Sequence, residues 1–535
     1  MKKTTKALSL ILATAMLCSL FAGCGAKQSA DAGTTFTVAL GSDIMKLDPA
    51  FAYDFTTNPV VNQITQGLLT FDSNDKLQPM LASSWEEVDS LTYVYNIRDD
   101  VNFSDGTPMT MEDVIFSIER VKNPDTASYL SWMLDNVASI EQTGDWQLTI
   151  RLSQPDATWQ YVPGTTACHI VSKAFAEKAG EDFGTAKGGL LGTGPFQYVS
   201  WQSGTEVVLE KNPNYWNKEA KVDFDKLVFK IISEDTSMVT ALQTEAVDFT
   251  AEPPLDMLQT LRDSGKVELS ANEGFAVTLL AFNTQKEPFD DVNVRKAIYH
   301  AIDMESIQEN IIKEAGIAAT TLPNSMALAT IEEERWADYA AKAPKYTYDL
   351  EKAKEYMAKS SAPDGFDCNL LTTESAIRYS LGLAIQEALK PLNINVELTK
   401  LSSDEHTAYQ FGDKFADGVR DYDMILAGWE ADFPDPSGNL VPLYVGSNAG
   451  EGGANAAAYV NPKVDEYLAA QGVISDPAER TTLMFQALDI ITEDIPYIFC
   501  FYPTKNTAIN KKYAGFKMNA SWLWNLHFED IHAVA

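Results

Sequence analysis

Apolar and polar residues alternate at Leu91, Tyr93, Tyr95 and Ile97, and again over residues 146–152 (WQLTIRL). That is the period of a strand with one buried face. Between these strands Val114, Ile115, Ile118 and Val121 fall on one helical face, and Thr110 with Asp113 forms a capping-box-like start. Residues 36–40 predict a strand. Residues 277–283 (VTLLAFN) are apolar and uncharged, as a central strand would be. Val294, Ala297, Ile298, Ala301 and Ile302 make the next helical face. An amphipathic helix over 375–389, Pro391, and alternation at Ile394, Val396 and Leu398 predict a βαβ unit. Residues 333–345 predict a solvated helix, 462–470 and 478–492 two more helices, and 495–502 an apolar run. The chain is therefore α/β.

Residues 188–216 are rich in glycine, but their spacing is not that of a dinucleotide fingerprint, and no GK[ST] phosphate loop follows. They predict a hairpin instead, with strands at 196–201 and 207–209 turned at Ser203-Gly204.

The run 423–427 (DMILA) leads into GWEADFPDPSGNL at 428–440, where two prolines stop any regular element. Trp429 and Asp432 are thereby held at a strand's end, where open α/β sheets place ligands. Alternatively, Asp432 and Asp435 only organise a turn before proline. Phe51, Tyr53 and Phe55 alternate in an otherwise polar loop, and either cap the core or line a cavity.

The 535 residues suffice for two or three domains. A net charge of −34 argues against binding nucleic acid or adhering electrostatically to anionic lipid. Lys2, Lys3 and Lys6 precede an apolar run over 7–21 that is too short for a comfortable membrane span, and small residues lead to Cys24. This predicts an export signal over 1–23 and a tether over 24–33. Cleavage there leaves 38 basic and 75 acidic residues, a net −37. The start resembles a bacterial lipoprotein signal, which implies lipidation of Cys24; Phe21 stands where leucine is usual. Cys168, Cys368 and Cys500 have no paired spacing and are expected as buried thiols. HExxH and G-x-S-x-G are absent, and His527 and His532 are spaced too far for one helix face, so no metal or cofactor is expected.

Six segments in order resemble the solute-binding proteins of bacterial oligopeptide and dipeptide ABC importers (solute-binding protein family 5). They are the lipoprotein start; Leu47-Asp48-Pro49 with Gly67-Leu68-Leu69; the block from Leu81 through Asp105-Gly106-Thr107-Pro108 to Ser117; Gly192-Thr193-Gly194-Pro195 with Asn212-Pro213-Asn214-Tyr215-Trp216; Val294-Arg295-Lys296-Ala297 with Ala301-Ile302-Asp303; and residues 427–436. The resemblance implies a two-lobe, periplasmic-binding-protein-like fold (type II) with an inserted domain and a hinge. Lobe one would be 34–80, 190–283 and 505–535, the insert 81–189, and lobe two 284–504, with hinge crossings near 283–284 and 502–504. It also implies a monomeric binder, not an enzyme. Such a protein captures peptides and delivers them to permease subunits with their ATPases, outside the cytoplasmic membrane on a lipid anchor. Asp432 would pair with a peptide α-ammonium, and Tyr53 and Phe55 would run along the ligand, although relatives often carry glutamate where Tyr53 stands. Trp429 would wall a pocket or pack behind its strand. Arg378 would take a ligand carboxylate or be a surface arginine, its spacing being slightly off the family pattern. Nickel chelates, haem, sugars and opines are ligands of related folds, and an exported hydrolase is the alternative of another class.

Overall fold

The computed structural model describes residues 34–416, 418–521, 524 and 526–534 of the protein; the expected signal, the tether and Cys24 lie outside them. The apolar strand Ala276–Phe282 is buried at every position. It pairs antiparallel with Met424–Glu430 on one edge and with residues 497–501 of Tyr497–Asn510 on the other. Such a strand needs cover on both faces. One face packs on a core containing Leu280, Phe282, Ile298 and Ile385, the other on a core containing Leu279, Ile425, Leu443 and Leu488.

Twelve strands form one continuous sheet with two wings. The second wing adds Phe366–Thr373 and Ile394–Leu401, which are parallel neighbours joined by the helix Ala376–Leu389. The first wing contains Thr35–Leu40 parallel to Lys226–Ile231, then the hairpin of Glu206–Lys211 and Phe196–Gln202. Gly204 supplies the positive φ at the hairpin's tip. The long strand Tyr497–Asn510 belongs to both wings, with residues 504–510 paired to Val267–Glu273 of the first. A polar second half hides its length in the sequence, where only residues 495–502 stand out, as an apolar run.

The expected crossing at Asn283–Thr284 is not where the chain changes wings. The change falls at Gly274–Phe275, between Val267–Glu273 and Ala276–Phe282. Asn283 lies inside the second wing, its amide donating to the carbonyls of Arg420 and Tyr422 at 2.8 and 2.9 Å. An apolar strand shows that it is central, but only its hydrogen-bonding neighbours show to which wing it belongs. The return crossing lies at residues 502–504.

Between Leu77–Pro79 and the first-wing hairpin, a separate four-stranded antiparallel sheet forms from Ala82–Asp89, Thr92–Ile97, Gln147–Leu152 and Val137–Gly144. The helix Met111–Lys122 covers it, begun by a complete Thr110–Asp113 capping box. This module has its own core around Tyr95, Val114, Ile118, Leu148 and Trp159. Cys168, Cys368 and Cys500 are free and buried.

Candidate ligand cleft

The strand Met424–Glu430 ends where Pro434 and Pro436 forbid further pairing. Asp435 then caps a short turn, its carboxylate accepting from Ser437 N at 2.9 Å. The same carboxylate takes a two-pronged pair from Arg480, at 3.0 and 2.9 Å, with both side chains buried. Asp435 is thus the structural member of the two aspartates. It fixes a loop whose preceding residues reach the other parts of the molecule.

Asp432 accepts a hydrogen bond from the Tyr53 hydroxyl at 2.6 Å through Oδ1. Oδ2 accepts none from the described residues. Burial pushes the carboxyl up to about 6 and nearby Glu430 adds to this, while the Tyr53 bond opposes it. Burial and the Asp432 charge together hold the Tyr53 phenol well above its ordinary range. Trp524 stacks on Tyr53 with ring centroids 5.9 Å apart, and its indole N–H donates to the Asp432 carbonyl at 2.5 Å. Phe433 turns toward the four-stranded module, stacked on Tyr161 at 6.1 Å and tilted on Trp132 at 6.1 Å. Glu430 pairs with Lys505 at 2.7 Å, and the Lys505 ammonium sits 4.5 Å from the Phe55 ring centroid. The loop at 430–435 therefore touches the first wing, the module and the second wing within six residues.

Arg378, in the first turn of Ala376–Leu389, lies against Gly428. A Cβ at that glycine would sit 2.5 Å from Nη2, so the absence of a side chain is what admits the guanidinium. Arg378 makes no hydrogen bond or ion pair with the described residues, and burial lowers its pKa from the ordinary arginine range. A partly covered guanidinium without an anion is costly, and a two-pronged acceptor is the partner its shape fits.

Trp429 is tied elsewhere. Its indole N–H donates to Gly438 O at 3.1 Å, its ring lies 6.4 Å from Phe411, and it packs against the core on its own side. Strand alternation puts Gly428 and Glu430 on the opposite face from Trp429. The structure thus gathers Tyr53, Phe55 and Asp432, sets Arg378 beside Gly428, four residues before Asp432, and leaves Trp429 behind the strand. Sequence reasoning missed Glu430, Phe433, Lys505 and Trp524. Phe433 carried a signal, an aromatic between an acid and a proline in a loop, whereas Lys505 carried none.

Among the described residues no group of three or more His, Cys, Asp or Glu side chains is placed to hold a metal. No helix among them is long and apolar enough to cross a membrane. His527 pairs with Glu529 at 2.9 Å rather than with His532.

The two sheet wings share the strand Tyr497–Asn510, and where they meet lie the Asp432 carboxylate and a guanidinium with no ion-pair partner among the described residues. The chain belongs to the bacterial extracellular solute-binding proteins, family 5, whose middle region matches residues 76–451, and it is thereby a solute-binding protein of an ABC importer. It is 28% identical over 497 residues to the glutathione-binding protein GsiB of Pectobacterium atrosepticum, covering 92% of this chain and 93% of that one. The periplasmic binding protein DppA from Helicobacter pylori, solved in complex with the peptide STSA, is 25% identical with a TM-score of 0.76, covering 93% of this chain and 98% of that one. The substrate-binding protein CtaP from Listeria monocytogenes has the same fold at a TM-score of 0.80 and 20% identity, covering 94% of this chain and 99% of that one. The two-lobe fold expected from the sequence is therefore the fold of the protein.

Proposed function

We propose that this protein captures peptides with a free amino terminus between its two wings and hands them to an ABC permease. The observation that carries the reading is the state of Asp432. One oxygen is held by Tyr53, the other is open, and burial makes the carboxylate costly without a cation. A peptide α-ammonium supplies that cation and a hydrogen-bond donor together. Glu252, buried in the same region, feels the charges of Glu430 and Asp54, with Lys505 as the nearby base, a field that favours a positive ligand end. Arg378 receives the ligand's carboxylate, with Tyr53 and Phe55 along its length, while Trp429 backs the strand from its other face. The strand crossings at 274–275 and 502–504 serve as the hinge. The protein acts as a binder without turnover, tethered outside the cytoplasmic membrane through lipid on Cys24.

The peptide-bound and glutathione-binding relatives support this class of ligand, since glutathione is itself a small peptide with a free α-ammonium and carboxylates. A thermal-shift screen tests it, because any ligand of the native state raises the melting temperature. Di-, tri- and longer peptides and glutathione should raise it, and sugars and metal chelates should not. A shift confined to the non-peptide ligands would overturn the reading.

A further inference from the structure

A cavity of about 540 Å³ opens beside the wing crossing, within the size range of small-molecule sites. Tyr299 and Tyr346 stack with centroids 5.0 Å apart and, with Trp336 and Tyr502, give it aromatic walls. Its floor is fixed by backbone contacts: Tyr502 donates to Leu322 O at 2.5 Å, and the Asn324 amide donates to the carbonyls of Gly274 and Ala276 at 2.7 and 3.2 Å. The cavity is thus built onto the segment that links the wings.

Glu273 also lines it. Its carboxylate is partly buried, has no hydrogen-bond or ion-pair partner among the described residues, and is held above its ordinary range by burial alone. Glu273 pairs with Thr504 in the strand register and so shares that residue's face, while Lys505, which serves the cleft, points the other way. The cavity is therefore separate from the Asp432 cleft. The other charged group in its lining is Lys345, exposed and free to turn its ammonium to water.

An unpaired carboxylate facing aromatic walls is the recognition chemistry of an organic cation, combining charge pairing with cation–π attraction. We propose that this cavity is a second ligand site, for a small ammonium compound with an apolar body, in which Glu273 takes the ammonium and Trp336, Tyr346 and Tyr502 enclose the rest. The ammonium could come from a simple amine or from a free amino acid, whose carboxylate Lys345 would meet.

Calorimetric titration of the full chain with phenethylamine, phenylalanine and 3-phenylpropionate tests the proposal. Saturable binding of phenethylamine or phenylalanine is expected, with the tighter of the two identifying the source, and 3-phenylpropionate should not bind. Glu273→Gln should weaken binding roughly tenfold or more. Trp336→Ala should weaken it as well, while Asp432→Ala should retain it. Failure of both ammonium compounds to bind, equal binding of 3-phenylpropionate, or loss in Asp432→Ala with Glu273→Gln unaffected would overturn the assignment.

Discussion

Tyr53 donates to Asp432 at 2.6 Å across a sequence separation of 379 residues, closing the first wing onto the loop that ends a strand of the second. The bond holds a carboxylate that has no cation among the described residues. It thus joins the closure of the molecule to the group proposed to recognise the ligand, and removing the hydroxyl should affect both. Tyr53→Phe should give a more open ligand-free protein, seen as a larger radius of gyration by small-angle scattering. Because the bond lowers the Asp432 pKa, the pH midpoint of peptide binding should move upward in the same variant. An unchanged midpoint would show that Asp432 does not set it.

Stability should respond to pH through Asp432. Its carboxyl is raised from 3.8 to about 6 in the fold, so the folded state holds a proton that the unfolded chain has already lost. Raising the pH through that window therefore costs stability, and the cost is fully present above the folded value. Asp432→Asn should melt higher than the parent at about pH 8 and together with it at about pH 3, where the group is protonated in both states. Peptide binding should weaken as the pH falls through about 6, because protonation removes the partner of the ammonium.

Gly428 admits Arg378. Gly428→Ala would push a methyl to 2.5 Å from Nη2 and displace the guanidinium. Affinity for peptides with a free carboxylate should fall, while C-terminally amidated peptides lose much less. Equal losses for the two in a calorimetric titration would mean that Arg378 does not meet the carboxylate.

The Asp435–Arg480 pair should matter for stability rather than for selectivity. Arg480→Met leaves a buried carboxylate uncompensated, an effect of roughly 3–5 kcal/mol. Urea unfolding should show that loss, and the Asp435→Leu/Arg480→Met double variant should recover most of it. The ranking of peptide ligands by the folded single variant should stay as in the parent.

Local pattern made much of this legible. The capping box at Thr110, the βαβ unit around Ala376–Leu389 and the glycine hairpin all rest on neighbours in sequence, and all are present. The prolines after Asp432 likewise located a strand end. The partners of that end were not legible. Phe433 against Tyr161, and Glu430 with Lys505, join residues that no periodicity relates. The wing boundary moved from 283 to 274–275 for the same reason, since Ala276–Phe282 is equally apolar whichever wing it joins. In sequence Arg378 reads slightly more as a surface arginine than as a carboxylate ligand, and only the fold sets it against Gly428.

Whether Asp432 receives a peptide ammonium is read from isothermal titration with one peptide in free and N-acetylated forms. The parent protein should bind the free form at least roughly tenfold more tightly, the equivalent of one charge-assisted hydrogen bond. Asp432→Ala should lose that preference. Equal affinity for the two forms in the parent, or an undiminished preference in Asp432→Ala, would rule out an ammonium partner at Asp432.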